Sequence, residues 1–171
     1  MDGTGEASSA SAGLSYKWIK LRAISRSELW FGRTIIGEWV KELNIVTHFL
    51  NSDYKAHKVT IDGSKEAGLA GLFAGALEAN VDNLILRKAP VSYLFDTRKG
   101  IDFFSMGIHL PGFLKWGDVS LAAALTSKDV LFINLVSMSG NAISNEKLSA
   151  VDAEFKKMRT RCHQSGKTVF K

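Results

Sequence analysis

The segment KVTIDGSKEAGLAGLFAGALEAN, Lys58 to Asn80, constrains the fold of this chain more than any other stretch. Val59 to Asp62 reads as a short strand, and a sharp turn carrying Ser64 leads into a helix from about Lys65 to Glu78. That helix holds Ala67, Gly68, Ala70, Gly71, Ala74, Gly75 and Ala76 in its interior, where each glycine costs about 1 kcal/mol. Such a cost is tolerated when a helix must lie very close to a sheet.

The flanking pattern extends this unit into an α/β chain. From Ser27 to Leu50 the residues Leu29, Ile36, Trp39, Val40, Leu43, Val46 and Leu50 recur at three- and four-residue steps, predicting one face of a single long helix capped by Ser27. Asn83 to Ala89 reads as a second strand, Asp129 to Val136 as a third, fully buried strand, and GKTVFK as a last short one. The stretch between the second and third strands is a long excursion with one or two helical pieces. A helix follows Ser144, from about Asn145 to His163. Helices alternating with apolar strands predict a mostly parallel sheet with helices on both faces. Residues 1–15 are mainly Gly, Ser and Ala and are expected to form a flexible lead-in to one domain over residues 16–171.

Composition removes several functions. The 171 residues carry a net charge of +5, but Lys and Arg do not cluster on one element with interleaved aromatic residues, which argues against a nucleic-acid surface. The densest basic run, Lys156 to Arg161, falls late in a helix, where cations complement the dipole. A single cysteine, Cys162, leaves no internal disulfide. No Cys/His cluster has zinc spacing, so no metal or cofactor is expected. No apolar run approaches the ~20 residues of a membrane span, and MDGTGEASSASAG lacks the pattern of a signal peptide.

Three site motifs meet the bend at Ile61 to Gly71. A phosphate-binding loop fails, because Leu69 and Ala70 stand where Lys and Ser/Thr are needed. A dinucleotide turn fails, because Ser64 and Lys65 follow Gly63 without a second glycine at the right step. The nucleophile elbow G-x-S-x-G fits the strand–turn–helix context best. Its register does not match. Counting back from Gly68 puts Glu66 at the nucleophile position, counting forward from Gly63 puts Lys65 there, and Ser64 comes too early. The plainer reading of Ser64 is a turn or cap residue.

The units WFGRTIIGEWVKELNIVTHFL, GSKEAGLAGLFAGALEANVDNLIL, LKWGDVSLAAAL and DVLFINLVSMSGNAIS together carry a likeness to a known fold. From about Trp18 to Lys171 the chain resembles the carboxyl-terminal half of an α/β-hydrolase, in the esterase-like branch that includes acetyl xylan esterases and dienelactone-hydrolase relatives. The resemblance implies a partial α/β-hydrolase fold, a carbohydrate ester as ligand class, and a secreted or periplasmic parent if that parent is a polysaccharide esterase.

It also implies a triad in the chain order Ser, Asp or Glu, then His. Here Lys65 or Glu66 holds the elbow position, Ser137 falls at the acid position, and His163 precedes the last strand where the family's histidine follows it. A serine cannot orient and stabilise an imidazolium as a carboxylate does. Catalysis is therefore expected to be degenerate. The alternative is an active ester hydrolase acting on acylated carbohydrate, using Ser64 in a shifted elbow with His163 or with residues from outside this chain.

The remaining polar and aromatic residues have modest readings. Asp96, Arg98 and Asp102 belong to a solvated loop over the site, His109 to a hydrogen-bonded structural role, and Trp39, Phe103, Phe104 and Trp116 to packing under that loop. Cys162 is read as inert. In the resemblance, the strand that pairs with Val59 to Asp62 lies upstream of Met1. The expectation is then an exposed strand edge, open apolar helix faces, and self-association or association with a missing amino-terminal half.

Overall fold

A computed structural model of the chain describes residues 21–77, 80–99 and 103–171. The lead-in over residues 1–15, Trp18, Glu78 and Asp102 lie outside them. In chain order the elements are α1 (Arg22–Trp30), α2 (Ile35–Ser52), β1 (Thr60–Ser64), α3 (Glu66–Leu77), β2 (Asn83–Arg87), two 3-10 turns (Met106–Ile108 and Phe113–Lys115), α4 (Val119–Leu125), β3 (Asp129–Ile133), α5 (Asn145–Cys162) and β4 (Thr168–Phe170). The strands form one all-parallel sheet in the order β1-β2-β3-β4, so the fold is α/β as the alternating pattern predicts.

Register sorts the sheet into two unlike faces. Ile61, Leu84, Val130 and Thr168 share one row and Gly63, Leu86, Phe132 and Phe170 the next. These rows meet the helices, and Leu84, Leu86, Val130 and Phe132 are almost completely buried. Phe155 of α5 closes an aromatic cluster with Phe132 and Phe170, with centroids 5.2–5.6 Å apart.

Strands laid down in sequential order with right-handed crossovers return every connecting helix to the same side. The other side, which carries Thr60, Asp62, Ser64, Ile85, Arg87, Leu131, Ile133 and Val169, is therefore uncovered by the described helices. The sequence pattern suggested helices on both faces. It also read the third strand as fully buried, but β3 alternates, with Val130 and Phe132 buried and Leu131 and Ile133 half-open. Continuous apolarity cannot reveal that one face lacks a cover.

The single helix expected from Ser27 to Leu50 is two. Phe31 and Gly32 donate back to Glu28 and Leu29, Gly32 turns at φ +69, and Thr34 starts α2 by accepting from the Gly37 amide at 3.1 Å. Ser27 lies exposed within α1 and is not a cap. The buried stripe of α2 runs through Ile36, Trp39, Val40 and Thr47, leaving Val46 about half exposed.

Helix α3 lies as close to the sheet as its small residues suggested. A Cβ on Gly71 would come within 2.7 Å of Ile61 Cγ2. Strand β1 is an edge, and its outer backbone groups meet no further strand among the described residues.

Candidate functional site

Parallel strands open onto loops at their carboxyl ends, and there the bend after β1 takes the shape of an elbow. Lys65 sits at φ +52, a left-handed conformation that costs a non-glycine residue about 1–2 kcal/mol. Its amide donates to the Arg87 carbonyl at 2.8 Å, which anchors the apex to β2. Strand and helix then pass almost in contact. A Cβ on Gly63 would lie 2.7 Å from the Gly68 nitrogen, and one on Gly68 would lie 2.8 Å from the Gly63 oxygen. The residue at the strained apex is thus Lys65, and its Nζ stands 4.6 Å from the centroid of the Phe103 ring.

Ser64, one residue earlier, is the last residue of β1. It is exposed, pairs in register with Arg87, and lies on the uncovered face with Asp62. Arg87 holds both carboxylate oxygens of Asp62 at 2.8 Å, and that pairing lowers the Asp62 pKa. The ionic neighbour of Ser64 is therefore a guanidinium–carboxylate pair with no imidazole in it.

Glu66 opens α3, and its carboxylate accepts the Ser105 amide, fastening the excursion to the elbow. Ser137 follows β3 in a tight turn, where its Oγ accepts from the Ser139 and Asn141 amides at 3.2 Å each. Its hydroxyl faces Asp96. Hydrogen bonds from Ser137 and then Asn141 bring the Asp96 carboxyl from 3.8 down to about 2. Phe103 lies so close to Gly140 that a Cβ there would be 2.3 Å from the ring, so one phenyl ring touches both the elbow lysine and the turn after β3.

His163 is elsewhere. Helix α5 starts beyond β3 and returns to the beginning of β4, so its last residues lie at the amino ends of the strands. Arg159, one turn earlier, confirms the direction by donating to the Thr126 and Lys128 carbonyls and to Thr168 Oγ1 at 2.9–3.1 Å. His163 caps α5 in a left-handed conformation with Cys162 beside it. The sheet thus separates His163 from Ser64, Glu66 and Ser137, which all stand at the carboxyl ends. His48, His57 and His109 are exposed, and no imidazole bonds Ser64 among the described residues. His109 therefore does not hold the hydrogen-bonded place expected of it.

Sequence reasoning missed two groups here. Asp96 read as a solvated loop acid, and it is exposed, yet its carboxylate is fixed on the turn that carries Ser137. Asp118 caps α4 through the Val119 amide and also accepts the Tyr93 amide and the Ser92 hydroxyl, tying the excursion to that helix. An Asp directly ahead of the apolar VSLAAAL was the available signal for the cap. Burial, then Asp118 and Glu66, push the Tyr93 phenol far above its ordinary value.

No family model, curated protein or solved structure matches the chain. A small cleft of about 240 Å³ lies among these loops, beside Phe95, Asp96, Ser137, Ile143 and Lys147. It is below the ~300–1,000 Å³ range typical of ligand sites. Among the described residues no group of three His, Cys, Asp or Glu is placed to hold a metal, and no helix is long and apolar enough to cross a membrane.

Proposed function

We propose that the chain is a catalytically degenerate α/β-hydrolase-like half domain that serves as a structural or binding part of a larger, carbohydrate-esterase-like protein. One observation carries this reading: the residue at the strained apex of the elbow is Lys65. An ammonium held over the Phe103 ring is a poor acyl acceptor, because it must lose its proton before it can attack, and among the described residues no carboxylate is ion-paired with it.

The arrangement of the other candidates supports the same reading. Ser64 faces an Asp62–Arg87 pair, Glu66 and Ser137 are engaged in holding loops together, and His163 is at the far end of the sheet. The alternative, an ester hydrolase acting through Ser64, requires an imidazole and a carboxylate aligned on that hydroxyl.

Hydrolysis of a small acetyl ester decides between them. Wild type, Ser64→Ala and Glu66→Ala should all match the buffer rate. Turnover abolished by Ser64→Ala would establish the serine hydrolase, and turnover abolished only by Glu66→Ala would place the chemistry on a carboxylate.

A further inference from the structure

We draw no further inference here: the strongest candidate, the open face of the sheet with its groove of about 620 Å³ floored by Ile85, Leu131 and Val169, carries nothing, because its border mixes Lys58, Lys167 and Lys171 with Asp129 and nothing in the structure shows what covers it.

Discussion

At Gly63 the carbon that alanine would add has nowhere to go, because the atoms 2.7–2.8 Å away belong to the Ala67 and Gly68 backbone. Backbone cannot rotate aside, so Gly63→Ala should cost about 1–3 kcal/mol in urea unfolding. Gly75→Ala should differ, because its new methyl meets only the Leu84 side-chain tip at 2.6 Å and gains helix propensity. That substitution should stay within about 1 kcal/mol of wild type. Equal costs at both positions would mean that the strand and helix do not pass in contact at the elbow.

Asp96 gives a pH signature at the same scale. Its pKa is depressed in the folded protein, to about 2 from 3.8, so its contribution is complete above the unfolded value and disappears as the pH falls through the folded one. The stability difference between wild type and Asp96→Ala should therefore be constant above about pH 4 and shrink towards zero near pH 2. A difference that grows on acidification would contradict the hydrogen bonding of Asp96 to Ser137 and Asn141.

Among the elements, the break between α1 and α2 shows where periodicity misleads. Leu29 and Ile36 are seven residues apart and share a helical face in the sequence, yet Gly32 and Thr34 form a stop and a start between them. Thr34→Ala should lose the cap of α2 and about 1 kcal/mol, while Ser27→Ala should change stability very little. The opposite ranking would restore the single long helix.

Strands and remaining helices were legible because each carries its own local signal: apolar runs for β2 and β3, small residues for α3, and a polar start for α5. The uncovered face was not legible, since an apolar run reports that residues can be buried and not whether a partner is present. The site divided in the same way. The bend and its glycines were visible in the sequence, as was the awkward register that put Lys65 in contention. The positive φ that identifies Lys65 as the apex exists only in the folded chain. The contact of Asp96 with the Ser137 turn joins positions 41 residues apart by number and has no local pattern.

For the whole molecule, one face of the sheet is a closed core around Leu84, Leu86, Val130 and Phe132, and the other is uncovered by the described helices. At the carboxyl ends of the strands, polar side chains fasten loops together: Glu66 on Ser105, Ser137 on the turn amides, Asp118 on Ser92 and Tyr93. We propose from this fastening that the chain holds or is held and does not turn over an ester. The most direct test of that claim is labelling with a fluorophosphonate, which forms a covalent phosphorus–oxygen bond to an activated serine and releases fluoride. Intact-mass and peptide spectrometry should find no adduct on any serine of the folded protein, and a stoichiometric adduct on Ser64 that disappears on unfolding would contradict it.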